Sequence, residues 1–180
     1  MSVVYGERGL SSMEFWRQAR RLEKIFMNLL LHDFGIKSRS RQPEFYASVL
    51  KMEEVDAKQL ADLCEKYHIT KITDRFPEWM IETRRTQVLE ILQRMKRCIR
   101  DANEVYPYYE SEFYERRKYQ DDAIRACGEL YDIFTACYDT LPIDADRYDR
   151  ITIEIEKEAT LLKGWRKSDN RILKQIRNRR

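Results

Sequence analysis

Two histidines and four cysteines are the whole supply of side chains for imidazole or thiol chemistry in this chain of 180 residues. Neither His32 nor His68 has a His, Cys or carboxylate partner at a spacing that would hold a metal. Glu65-Lys-Tyr-His68 matches the Glu-x-x-His element of di-iron bundles once, and such a site needs two of these elements on facing helices. His32-Asp33 reads as the polar end of a helix rather than as a catalytic pair. Cys64, Cys98, Cys127 and Cys137 form no CxxC pair, and Cys127 and Cys137 fall on apolar helical positions, where a thiol serves packing. Glu154, Glu156 and Glu158 alternate along a helical segment, which points them apart and assigns them to a solvated face. There is no P-loop and no GxGxxG motif. The expectation is a protein without catalytic residues, resident metal or cofactor.

The residue types that remain suit binding. Residues 105–119 hold Tyr106, Tyr108, Tyr109, Tyr114 and Tyr119 around Arg116-Arg117-Lys118. Tyrosine rings stack on unpaired bases while arginines take phosphates, so Tyr108 and Tyr109 are candidates for base stacking. The same tyrosines at a helix start also suit bridging between core and water. Residues 163–180 carry eight Lys or Arg against the single acid Asp169, a net +7, while the remaining residues sum to −4. A concentrated basic end on a nearly balanced body points to an anionic partner there. The candidate nucleic-acid-binding residues are Arg94, Arg97, Arg116, Arg117, Lys118, Lys163, Arg166, Lys167, Arg171 and Lys174.

These side chains need long helices to position them. Only five glycines and four prolines are present, 43% of residues are hydrophobic and 36% are charged. The spacing predicts main helices over 12–34, 78–104, 109–140 and 146–163. Phe15, Ala19, Leu22, Phe26 and Leu29 mark the apolar face of the first, opened by a capping box of Ser11 with Glu14 and ended near Gly35. Pro77 fits the first turn of the second, whose face is Val88, Leu92, Met95, Ile99 and Ala102. Ala123, Cys127, Leu130, Phe134, Cys137 and Leu141 step by fours and threes, a bundle seam. Tyr148, Ile151, Ile155, Ala159 and Leu162 define the fourth. Short links favour antiparallel neighbours. The predicted fold is an all-α, up-and-down four-helix bundle with an N-terminal helical extension or insert. Residues 1–76 supply an N-terminal helix and an insert packing on the bundle, 77–163 the bundle helices, and 164–180 a basic C-terminal segment. Within the insert lie a basic run at Lys37, Arg39 and Arg41 and a short helix capped by Asp56 with Leu60, Leu63, Cys64 and Tyr67. No apolar stretch approaches a membrane span and no apolar leader opens the sequence, so a cytoplasmic protein with reduced thiols is expected.

The most distinctive run is Leu161 to Asn170. Gly164 allows a sharp chain turn, Trp165 anchors it, and Ser168, Asp169 and Asn170 stand ready to cap a following helix. Leu-Lys-Gly-Trp-Arg-Lys-Ser-Asp-Asn (162–170), with Glu-Arg-Arg-Lys-Tyr-Gln (115–120) and Leu-Pro-Ile-Asp-Ala-Asp (141–146), resembles the accessory variability determinant (Avd) family of diversity-generating retroelements, over about residues 77–175. The resemblance implies a homopentameric ring with a basic surface. It implies binding to a retroelement reverse transcriptase and its template RNA, in support of error-prone cDNA synthesis, with no catalytic activity of its own. The chain departs from compact members in residues 1–76 and in concentrating its basic residues at the end. The competing reading is a structural protein–protein interaction bundle of a mobile element that binds no RNA.

Overall fold

The computed structural model describes residues 9–35, 53–66 and 77–179, and all regular structure among them is helical. Six α-helices run in the order α1 (Glu14–Leu31), α2 (Glu54–Lys66), α3 (Glu78–Glu104), α4 (Glu110–Thr140), α5 (Ala145–Ser168) and α6 (Asn170–Asn178). Helices α1, α3, α4 and α5 form an antiparallel four-helix bundle. The pairings fix the directions: Phe15 stacks on Trp165 while Gln18 bonds Glu154, and Glu23 bonds Lys96 while Asp33 bonds Arg85. Cys127 meets Met95 while Arg116 reaches the carbonyl of Ala102, and Tyr148 lies against Thr135 while Arg166 meets Asp121. Helix α1 is therefore one of the four bundle members rather than an addition to them. It stands beside α3 and α5 and diagonal to α4.

Most of the apolar positions that the spacing marked are core, although Tyr148 and Ala159 are only half-buried. Phe15, Ala19, Leu22, Phe26 and Leu29 from α1 are buried, as are Val88, Leu92, Met95, Ile99 and Ala102 from α3. Phe26 and Phe134 meet edge to face across the diagonal at 5.3 Å. Ile151, Ile155 and Leu162 close the α5 side.

Several local expectations change. The Ser11–Glu14 capping box does not form: Leu10–Ser12 makes a 3-10 turn, Ser12 donates to the carbonyl of Gly9 at 2.7 Å, and extended Met13 stands at the N-cap of α1. Pro77 sits at the N-cap of α3, one residue before the first turn, with ψ 140°. At the other end α1 stops at Leu31, before Gly35. Asp33 (φ 46°), Phe34 (φ 56°) and Gly35 (φ 95°) then run left-handed in succession. That reversal drives Phe34 into the core, where it is fully buried, and the ion pair of Asp33 with Arg85 holds it. Asp56 lies inside α2, two residues past its start, so it does not cap that helix. Lys37, Arg39, Arg41, Tyr67 and His68 fall outside the described residues.

The largest change is at the C-terminal run. Gly164 does not end the fourth helix. Helix α5 passes through it to Ser168, and the break falls at Asp169. Asp144 starts this helix, its carboxylate accepting from the backbone N–H of Arg147 at 3.2 Å. Among the described residues no helix is long and apolar enough to cross a membrane.

Candidate nucleic-acid interface

The two segments that carry the distinctive run, 115–120 and 162–170, meet in space. Asp169 is buried, and its Oδ2 accepts from Arg116 Nε at 2.6 Å and from Gln120 Nε2 at 2.7 Å. Arg116 also donates through Nη1 to the carbonyls of Ala102 and Val105, both at 3.0 Å, and its guanidinium lies 5.2 Å from the Trp165 ring centre. Trp165 stacks on Phe15 with centroids 4.3 Å apart. One residue on, Arg117 donates to the carbonyl of Arg166 at 2.9 Å and to Asn170 Oδ1, and sits over Phe113. This network ties the end of α3, the start of α4 and the α5–α6 junction together. A fork of donors on a planar cation suits such bridging.

Part of the expected interface is thus engaged within the protein. Arg116 and Arg117 spend their donors on the protein's own groups, Arg166 pairs with Asp121, and Arg94 pairs with Glu129. Ser168 does not cap α6; its hydroxyl donates back to the carbonyl of Trp165 at 2.7 Å. Asp169 occupies the N-cap position in right-handed helical geometry (φ −67°, ψ −15°) and turns its side chain to Arg116 instead. Asn170 receives Arg117.

What remains is a stripe. Lys163, Lys167, Arg171 and Lys174 are exposed and make no hydrogen bond or ion pair among the described residues. Their steps of four, four and three stay on one side of a helix. Asp169 keeps helical dihedrals, so the phase of α5 carries into α6. The four cations span about 16 Å at the rise of an α-helix. Helix α6 then runs back along α4, burying Ile176, and Arg177 donates to Glu110 at 3.0 Å and to the Tyr114 hydroxyl at 3.4 Å. The stripe thus leads toward the end of the bundle that carries Tyr108 and Tyr109, which are 62% and 67% exposed. Their backbone N–H groups are held by Glu112 Oε2 at 2.7 and 3.0 Å, which leaves both rings outward at a firm helix start. Lys118, exposed and also without an ion pair among the described residues, lies one turn beyond Tyr114 on α4.

Comparison with protein-family models, with curated proteins and with solved structures returned no match.

A second basic face lies across the bundle. Arg97 is exposed and shares a shallow depression of about 220 Å³ with Gln93, Lys96 and Arg100. Lys96 is pinned there by Glu23, 2.7 Å from each carboxylate oxygen, and lies 5.9 Å from the Trp16 ring centre. This pair sets α1 against α3. Arg17, Arg20 and Lys24 of α1 are exposed along the outward side of the same region. The sequence reading passed over these three residues. Their signal is the spacing 17, 20, 24, which falls opposite the apolar 15, 19, 22 and 26.

The buried groups offer little reactivity. Burial pushes the Cys127 thiol up to about 12 and that of Cys137 up to about 11, so neither presents a thiolate near neutral pH. Of the three acids assigned to a solvated face, only Glu156 is exposed. Glu154 bonds Gln18 and Arg21, and Glu158 is completely buried.

Proposed function

We propose that this protein is a non-catalytic RNA-holding bundle that serves a retroelement reverse transcriptase as an accessory subunit and assembles with copies of itself. The observation that carries the RNA reading is the run of four exposed cations along α5 and α6, unpaired among the described residues, that leads toward the exposed Tyr108 and Tyr109. Cations that track a backbone, next to rings that accept any base, suit single-stranded RNA without strong sequence preference. Support for the accessory role is the resemblance of the two segments that meet at Asp169. A coherent clamp explains why residues of both types belong together.

The test is RNA binding by the full chain across a salt series. Each phosphate contact contributes a slope of about −0.7 in log affinity against log salt. Changing Lys163, Lys167, Arg171 and Lys174 together to Ala is expected to weaken binding and flatten the slope. Changing Tyr108 and Tyr109 to Ala is expected to weaken binding at an unchanged slope. If the lysine–arginine variant keeps both affinity and slope at matched helicity, the stripe is not the site, and Arg97 and Arg100 become the residues to change. Association with the reverse transcriptase is read by co-purification of the two proteins from cells that express both.

A further inference from the structure

Between α1 and α5 runs an open groove of about 580 Å³. Ile25, Ile151 and Ile153 give it an apolar lining, and Arg21, Arg147 and Arg150 a basic one. Ile153 is 61% exposed, a β-branched apolar side chain left in water about a third of the way along a bundle helix. Arg21 is neutralised by Glu154 at 2.6 Å, whereas Arg147 and Arg150 have no ion pair among the described residues. The groove therefore asks for an occupant with aliphatic side chains and flanking carboxylates.

Helix α2 has that chemistry. Over Glu54–Lys66 it holds four carboxylates against two lysines. Val55 and Leu63 are 65% and 51% exposed, and Asp56 and Asp62 are exposed beside them. At 100° per residue, these four positions fall within about a third of the helix circumference. Val55 and Leu63 stand about 12 Å apart along the axis, close to the run from Arg147 to Glu154 in the groove wall.

We infer that α2 of one copy docks in the α1–α5 groove of a second copy, with Val55 and Leu63 against Ile153 and the neighbouring Ile25 and Ile151, and Asp56 and Asp62 against Arg147 and Arg150. Two complementary surfaces exist on one chain, and each is open. Joining them between chains buries both and is a low-cost route to an oligomer. The inference rests on the self-assembly part of the proposed function and is independent of RNA.

The test uses the full chain and light scattering over a concentration series. Arg147→Glu with Arg150→Glu places acid opposite acid and is expected to weaken assembly about tenfold or more. Adding Asp56→Arg and Asp62→Arg to that variant is expected to restore it. Ile153→Asp is expected to yield monomer at unchanged helicity. For the contact itself, Ile153→Cys in one chain and Leu63→Cys in a second chain of different tagged length are mixed and oxidised. A disulfide at the mixed size supports the exchange; its absence at a concentration where the chains assemble overturns it. A wild-type monomer at all concentrations overturns self-assembly as a whole. A wild-type oligomer indifferent to the charge reversals overturns only this interface.

Discussion

Glu158 gives the sharpest handle on the fold. It lies on α5 between Ile155 and Leu162, fully buried, and neither carboxyl oxygen has a hydrogen-bond partner among the described residues. Burial pushes it up from the 4.5 of a free glutamate to about 8. In the bundle at pH 7 the carboxyl is therefore mostly protonated, and in the unfolded chain it is ionised. Because the folded value lies above the unfolded one, this group favours folding least at high pH. No cost applies well below pH 4.5, the cost grows between the two values, and it is complete above about pH 8. Taking up the proton on folding costs about 1 kcal/mol at pH 5 and about 3 kcal/mol at pH 7.

Glu158→Gln keeps the shape and an unpaired polar group but removes the titration. Thermal or urea unfolding of both proteins from pH 5 to 9 gives a difference curve from which the other ionisable groups cancel. The variant is expected to gain about 2 kcal/mol on the wild type between pH 5 and 7, roughly 4–8 °C in melting temperature for a chain of this size. The gain should level off above pH 8. Glu158→Met also removes the unpaired polar atoms and should add a further, pH-independent gain of about 1–3 kcal/mol. A Glu158→Gln difference that stays flat across the whole range would mean that the buried carboxyl has found water or a partner, and the reasoning would fail.

Two further substitutions address the C-terminal clamp. Arg116→Ala leaves the Asp169 carboxylate buried with Gln120 alone and is expected to cost about 3–5 kcal/mol in urea unfolding, whereas a loss under 1 kcal/mol would show that the network is not structural. Gly164→Ala places a methyl group where nothing lies within 4 Å inside a continuous helix, so it is expected to stabilise the protein by about 0.5–1 kcal/mol without changing RNA affinity; destabilisation would return Gly164 to the role of a turn.

The bundle was legible because its information is periodic and local. Val88 to Ala102 and Ala123 to Leu141 repeat often enough that no alternative face competes, and all these positions are buried. Glu158 was legible too, at steps of three from Ile155 and four to Leu162, but its charge was weighed above its position. The helix ends were harder to read, since each rests on a small local preference that packing overrides. A glycine costs a helix about 1 kcal/mol. Beyond Gly164, the stack of Trp165 on Phe15 and the bonds to Asp169 hold the chain helical, and their partners lie 49 to 150 residues away. Nothing at positions 161–170 announces those partners.

The same separation governs the candidate interface. Summed charge marked the C-terminal segment as basic but could not tell which cations are free. Along α4, α5 and α6 the structure divides them by side-chain type. Arg116, Arg117, Arg166 and Arg177 bond the protein's own carbonyls, carboxylates and amide, while Lys118, Lys163, Lys167 and Lys174 do not among the described residues, with Arg147 and Arg171 the arginines on their side. The division follows from chemistry. A planar guanidinium reaches several acceptors in fixed directions and suits a clamp, whereas an ammonium on a flexible stem is strongly hydrated and remains a mobile point charge. A surface left mostly to lysine holds phosphates by charge without fixing their geometry. On the proposed reading, such a surface lets a bound RNA strand move along it, and any preference among bases falls to the tyrosines at the end of the stripe.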